Sequence, residues 1–349
     1  MRLSVCIITY NHEQFIEQCI RSVLEQDVNF DYDVVVGDDC STDSTASILA
    51  KLESENPNRL KVIYNKTNIG GQLNLKQTLA ACKGEFIAFL EGDDYWTSTQ
   101  KLQLQVDFLD KHIQASGVFH RTRAVDVTDP SRKYFLPGPD TPEFCSFDFL
   151  FQFHYGNPIA VGSLVARHAS LADIDTWLAG VKPGDWLIGM MLATKGPIGF
   201  IPLEMSHYRL HAAGHWQRLN PHSQFARVIH MLQHVSGLVH DANKELVDQR
   251  LDTLTRWWSH DVVVNGAVNF EDTIQELDKI GDVRLSNYLL AKVVSDAKKV
   301  DQEKYAQFFA KLPWSIELEV AKLLCSLGLS RDGEFLWNRA MARKKKIKS

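Results

Sequence analysis

Three carboxylates, Glu91, Asp93 and Asp94, fall within four residues directly after the unbroken apolar run Phe86-Ile87-Ala88-Phe89-Leu90. Like charges that close repel one another unless a cation or hydrogen-bond donors offset them. A hard divalent ion with oxygen ligands, Mg²⁺ or Mn²⁺, suits such a cluster, and ions of this kind often hold substrate phosphates as well. The plainer reading is a solvated loop whose aspartates cap a helix beginning near Ser98. A second pair, Asp38-Asp39, follows another apolar run, DVVVG (33–37), and two acidic strand ends favour the cation reading. In Asp38-Asp39-Cys40-Ser41-Thr42-Asp43-Ser44, Asp43 or Ser44 is expected to cap the following helix, leaving one carboxylate to accept hydrogen bonds from a ligand such as a nucleobase.

Further along, Asp185 precedes the apolar stretch WLIGMMLA, where it either caps a helix or serves as a general base. The segment His207-Tyr208-Arg209-Leu210-His211 lies between Pro202 and Gly214, which points to strand and loop, and it is not an H-E-x-x-H zinc helix. Arg209 suits a diphosphate or an internal ion pair. Trp186 and Trp216 suit a sugar ring or the core equally well. No G-x-G-x-x-G loop and no G-x-x-x-x-G-K-[ST] follows the first apolar run; Thr9-Tyr10-Asn11-His12 stands there instead.

The elements that must position these residues alternate between two periods. LSVCII (3–8), DVVVG (33–37), LKVIY (60–64) and EFIAFL (85–90) read as strands. Between them run helical patterns: Phe15, Ile16, Cys19, Ile20, Val23 and Leu24; then Ala46, Leu49 and Leu52; then a helix over about 71–81. A further helix carries Leu102, Val106, Leu109 and Ile113. Asn11 with Gln14 is expected to cap the first helix. Unbroken apolar strands alternating with helices predict an α/β fold with a parallel sheet covered by helices. Ligands of such sheets bind beyond the carboxyl ends of the strands, where the polar clusters sit. From 117 to 210 short strand-like runs (GVFH, RKYFL, IAVGSLVAR, IGFIPL) alternate with turns. After about 220 the chain reads helical: 222–240, 243–262, 271–280, 285–297, 301–311 and 314–328. Two domains are expected, 1–217 and 218–349.

Of 349 residues, 45% are hydrophobic, enough for a substantial core, and the formal net charge of -5 gives no sign of nucleic-acid binding. Six cysteines without a C-x-x-C pair indicate neither a disulfide framework nor a thiolate zinc site. The apolar start breaks after Ile8 without a cleavage motif, and no stretch reaches the ~20 apolar residues that span a bilayer, so a cytoplasmic protein is expected. Residues 331–349 hold seven basic and two acidic side chains beside WSIELEVAKLLCSLGL. Such a tail suits contact with an anionic membrane surface, here the inner face of the cell membrane, or is simply a solvated terminus.

The pieces SVCIITYN (4–11), VVVGDDCSTDST (34–45), NIGGQLN (68–74) and FIAFLEGDDYW (86–96), in this order and spacing, resemble the inverting nucleotide-sugar glycosyltransferases of the GT-A fold that build bacterial surface polysaccharides. The resemblance covers about the first 215 residues. It implies a Rossmann-like, mostly parallel sheet flanked by helices, with an all-helical region following. It implies that Thr9, Tyr10, Asn11 and Glu13 line the nucleotide, that Asp39 receives the base N–H of uracil or thymine, and that Asn68, Gly70 and Asn74 lie along the nucleotide and sugar. Glu91-Gly92-Asp93 stands where the family has its metal-binding Asp-x-Asp, with Glu91 replacing the first Asp and Asp93 and Asp94 suited to ribose and metal. Asp185 matches the second residue of the family's Glu-Asp general-base motif, and His211 the histidine of its closing Tyr-Arg-x-His, which completes the metal sphere or contacts the diphosphate. Trp186, Arg209 and Trp216 are candidates on the acceptor or diphosphate side. The implied partners are a UDP- or dTDP-linked sugar donor and a glycan or lipid-linked oligosaccharide acceptor, with Mn²⁺ or Mg²⁺, for hexosyl or N-acetylhexosaminyl transfer. A nucleotidyltransferase would want a Gly-rich basic loop after the first strand, which is missing. An inactive carbohydrate-binding scaffold would have no need of Asp39, Asp93, Asp94 and Asp185 together.

Overall fold

The computed structural model describes residues 1–129, 131–151, 157–181, 184–212, 214, 216, 218–265, 289 and 341. The chain divides into two compact units, Met1–Gln217 and Arg218–Ser349. In the first, strands β1 (Leu3–Thr9), β2 (Tyr32–Asp38), β3 (Leu60–Tyr64) and β4 (Phe86–Glu91) alternate with helices α1 (Ile16–Leu24), α2 (Thr45–Glu55) and α3 (Gly71–Ala81). They pair in parallel in the order β3-β2-β1-β4. Leu3, Val5, Ile7, Val34, Val36, Phe86, Ala88 and Leu90 are buried, as unbroken apolar strands covered by helices require. Register then aligns the chemistry: Thr9 stands opposite Asp38, and Ile8 opposite Glu91, so the polar residues share one carboxyl edge.

Beyond β4 the sheet becomes mixed. The remaining elements are β5 (Tyr95–Trp96), α4 (Lys101–Lys111), β6 (Gly117–Asp126), β7 (Lys133–Leu136), β8 (Phe144–Cys145), β9 (Val165–Arg167), α5 (Ile174–Trp177), α6 (Gly184–Lys195) and β10 (Ile198–Leu210). The order continues β4-β9-β6-β10-β5, with β9 antiparallel to both neighbours and β10 parallel to β6. β10 is irregular around Pro202 and then runs on to Leu210, carrying its polar end up to the acidic end of β4.

Two local expectations need correction. Asn11 does not cap α1, which begins at Ile16 with no side-chain cap; Asn11 is left-handed at φ +56° and its Oδ1 accepts the Thr42 N–H at 2.7 Å. Ile113 lies beyond the end of α4 and is 83% exposed, because the helix stops at Lys111 before its next apolar turn. Asp43 does serve the first turn of α2, its Oδ1 accepting the Thr45 N–H at 3.0 Å.

The second unit contains α7 (Pro221–Ser236) and α8 (Asp241–Asn265). Asn220 caps α7 by accepting the Ser223 N–H at 2.8 Å, and Pro221 occupies the first helical position. Phe225 stacks on Trp258 at 5.4 Å between centroids, while Trp257 beside it is half exposed. No helix among the described residues is long and apolar enough to cross a membrane. The helices read over 271–280, 285–297, 301–311 and 314–328, and the basic segment 331–349, lie outside the described residues except for Leu289 and Met341.

Lys101 in α4 is fully buried, its Nζ 3.9 Å from the centroid of the Trp96 ring and without a hydrogen-bond partner. Burial holds its pKa well below the usual lysine range. The unfolded chain keeps this proton up to about pH 10.4, so near neutrality folding must bury the charge or release the proton, and that penalty fades as the pH rises. Lys101→Met keeps the stem and removes the ammonium. It is expected to raise stability by about 1–3 kcal/mol near pH 7 and by less near pH 10. Urea melts of both proteins at the two pH values measure it; equal stabilities throughout would contradict it.

Candidate active site

At the carboxyl edge, the loops after β1 and β2 are stitched together. The backbone N–H groups of Asn11, His12 and Glu13 donate to Ser41 Oγ, Thr45 Oγ1 and Asp43 Oδ2 at 2.9, 2.8 and 3.1 Å. In return Asn11 Oδ1 accepts from Thr42, and Glu13 Oε2 accepts the Ser44 N–H at 2.9 Å. Asn11 and Glu13 therefore hold two loops in register, and Tyr10 just before them is 41% exposed. Asp39 is buried and accepts from the backbone of Ile69 and Gly70, both at 2.8 Å, and from Asn65 Nδ2 at 3.3 Å. A carboxylate offers about four acceptor positions, so one remains. Gly70 takes φ +86°, a conformation that favours glycine, and Asn68 Oδ1 accepts its N–H at 3.2 Å from an exposed position. Asn74 is buried below this loop, donating to the Gly37 carbonyl at 2.8 Å and accepting from Asn65 at 3.1 Å.

The second part of the site is the end of β4. Carboxylate oxygens of Glu91, Asp93 and Asp94 lie within 4.8 Å of one another. Asp94 is buried and its Oδ1 accepts the backbone N–H of Arg209 at 2.8 Å. Asp93 Oδ2 meets Nε2 of His211 at 3.0 Å and Nε2 of His12 at 3.6 Å. The Arg209 guanidinium donates to the Asp93 carbonyl and to Gln18 Oε1, and lies between the rings of Phe15 and Tyr95, at 5.0 and 4.3 Å from their centroids. Sequence reasoning passed over His12, Gln18, Phe15 and Tyr95; the position of His12, just past the end of β1, was the only signal available for any of them.

Electrostatics follow from this crowding. Burial, and then the charges of Asp93 and Asp185, push Glu91 up to about 8. Burial, with Asp93 and Glu91, pushes Asp94 well above the carboxylate range. Burial would raise Asp93 too, but the His211 hydrogen bond and the charges of His12 and His211 hold it below its ordinary value. Asp93 Oδ1 is buried with no hydrogen-bond partner. An orphaned carboxylate oxygen beside two carboxyl groups whose charges are disfavoured by burial and by one another, with an imidazole at hand, fits a hard divalent cation such as Mn²⁺ or Mg²⁺.

Asp185 stands in the first turn of α6, where the helix dipole favours a carboxylate. Burial raises its pKa, opposed by hydrogen bonds from Asn157 and from the Trp186 backbone. Its charge is felt at Glu91, so the two carboxyl groups lie near one another. Trp186 is 4% exposed, which leaves no free ring face for a sugar; Trp216 is half-buried.

A parallel first half, a mixed second half and an acidic end on the strand between them define a GT-A-like α/β fold. Residues 4–172 match the model of Glycosyl transferase family 2. It is 34% identical over 215 residues to Uncharacterized protein Rv1520 of Mycobacterium tuberculosis, a match covering 61% of this chain and 60% of that protein. The chain thus matches less than two thirds of such a relative's length. It is also 38% identical over 114 residues to the Staphylococcus aureus poly(ribitol-phosphate) beta-N-acetylglucosaminyltransferase TarS, covering 32% of this chain and 19% of that protein. The crystal structure of S. aureus TarS 1-349 in complex with UDP-GlcNAc shares the fold with a TM-score of 0.58 at 22% identity, covering 87% of this chain and 89% of that one. The mannosyltransferase PcManGT from Pyrobaculum calidifontis, in complex with GDP-Man and Mn²⁺, does so with a TM-score of 0.52 at 18% identity, covering 98% of this chain and 86% of that one.

Gly92 explains the spacing of the acidic cluster. A Cβ there would stand 2.5 Å from Thr9 Oγ1 and 2.9 Å from His12 Nδ1, two atoms that themselves meet at 3.1 Å. Gly92→Ala must push the end of β4 away from the end of β1, and overpacking of this kind costs about 1–3 kcal/mol. Urea unfolding is expected to show that loss, and an unchanged midpoint would count against the tight approach.

Proposed function

We propose that residues 1–217 form the catalytic unit of an inverting glycosyltransferase that moves a hexosyl or N-acetylhexosaminyl group from a UDP- or dTDP-linked donor to a hydroxyl of a glycan or lipid-linked oligosaccharide. The observation that carries this reading is the orphaned Asp93 Oδ1 within the Glu91-Asp93-Asp94 cluster, with Asp185 near enough for its charge to act on Glu91. The match to the family 2 model and the sugar-nucleotide complexes of proteins with the same fold support it. The TarS name supports a bacterial surface polymer as acceptor, and a nucleotide-sugar donor goes with a reaction on the cytoplasmic side.

In this reading the remaining acceptor position of Asp39 receives a base N–H, and Thr9, Tyr10, Asn68 and Gly70 border the nucleoside. Asp93, Asp94 and His211 hold a divalent cation, with Glu91 beside it and Arg209 braced behind. That cation, when bound, would offset the negative charge of the leaving diphosphate. The acceptor oxygen attacks the anomeric carbon from the face opposite the diphosphate, a new C–O bond forms as the bond to phosphate oxygen breaks, and Asp185 takes the acceptor proton. Attack from the opposite face inverts the anomeric configuration.

Asp185→Asn keeps the size and cannot accept that proton. It is expected to lower turnover by about 10²–10⁴-fold, with UDP affinity unchanged. Calorimetry with UDP and single-turnover sugar transfer test this together, with NMR of the product's anomeric proton. Near-normal transfer removes Asp185 from the mechanism, and a retained configuration overturns the reaction class.

Cation binding should be coupled to protons. Glu91, held up to about 8, keeps its proton at neutral pH in the cation-free protein, so Mn²⁺ must displace it. Affinity is expected to rise with pH through about 8. Titrations with Mn²⁺ in two buffers of different ionisation enthalpy count the released protons. Release of none at pH 7, or an affinity that ignores pH, would count against the site.

A further inference from the structure

We propose that Asn157 is the positioning residue for the Asp185 carboxylate, fixing which oxygen takes the proton of the acceptor; this rests on the reading of Asp185 as the general base. Asn157 Nδ2 donates to Asp185 Oδ2 at 3.0 Å. The other end of the same amide is held, since Asn157 Oδ1 accepts the backbone N–H of Ile159 at 3.0 Å. A carbonyl oxygen must face that N–H, so the amide has one orientation and its NH₂ group faces Asp185. The amide takes one acceptor position of Oδ2 and so fixes the plane of the carboxylate and the side from which Oδ1 meets a hydroxyl.

The geometry is suited to this task in a second way. Ile159 is buried, and a Cβ placed on Gly189 of α6 would stand 3.6 Å from its Cδ1, ordinary contact distance. The segment that carries Asn157 therefore rests on the helix that carries Asp185, and donor and acceptor share one support. An amide cannot take up a proton in the neutral range, so Asn157 orients the carboxylate without competing for the proton it receives. A donor to the ionised form also opposes the effect of burial on Asp185. A carboxylate free to turn would offer its oxygens to the acceptor only part of the time, and loss of such an outer partner typically costs about 10–100-fold in activity.

The test is a double-mutant cycle in the full chain. Asn157→Ala is expected to lower kcat for sugar transfer by about 10–100-fold, while donor KM, UDP affinity and the thermal midpoint stay near wild type. In the Asp185→Asn background the same substitution is expected to change kcat by less than about twofold, because Asn157 acts only through that carboxylate. Asn157→Ser, run through the same cycle, stands in if the alanine variant does not fold. Unchanged kcat in Asn157→Ala, losses that multiply in the double mutant, or a loss explained by weaker UDP binding would each overturn the proposal. The single variant Asp185→Asn reports separately on the base itself, so failure of that reading is distinguishable from failure of this one.

Discussion

Three carboxyl groups packed within 4.8 Å at the buried end of a parallel strand set the terms for everything around them. Repulsion and lost hydration both work against their charges, and each neighbour can be read as an answer. His211 and His12 approach one oxygen of Asp93, the Arg209 backbone donates to Asp94, and Gly92 lets the strand end close on Thr9. What the protein leaves unanswered is one oxygen of Asp93 and the upward pressure on the Glu91 and Asp94 pKa values. A fold optimised for stability alone would not gather these groups.

The loops after β1 and β2 work by a different principle. Their polar residues are largely satisfied by one another: Asn11 and Glu13 face Thr42 and Ser44, and Asp39 gathers the amides of Ile69 and Gly70. The left-handed residues Asn11 and Cys40 allow both loops to turn sharply enough to meet. Such a surface is organised before a ligand arrives, which lowers the ordering cost of binding.

The parallel half of the fold was legible because unbroken apolar runs such as DVVVG leave one interpretation, and the acidic strand ends followed from them. Less legible was everything decided by contact between distant segments. Asn11 has the residue type of a helix cap, and only the approach of the 41–45 loop turns it into a stitch. Asn74 looks like a ligand contact in sequence, yet helix α3 turns it inward to the Gly37 carbonyl. His12 and Asn157 carry no local pattern, since their partners Asp93 and Asp185 lie 81 and 28 residues away. Strand β9 is three residues long, too short for alternation to show which way it runs.

The distance between Asp93 and His211, 118 residues along the chain, has a consequence for synthesis. At about 5–20 residues per second, β10 leaves the ribosome on the order of ten seconds after the acidic loop. During that interval β1 to β4 can already pair, while the carboxylates lack the histidine and the arginine amide that later face them. The nascent half-sheet therefore exposes the edge of β4 and a hydrated, proton-exchanging acidic tip. Only when β10 closes this long loop can His211 and the Arg209 amide reach the acidic end of β4.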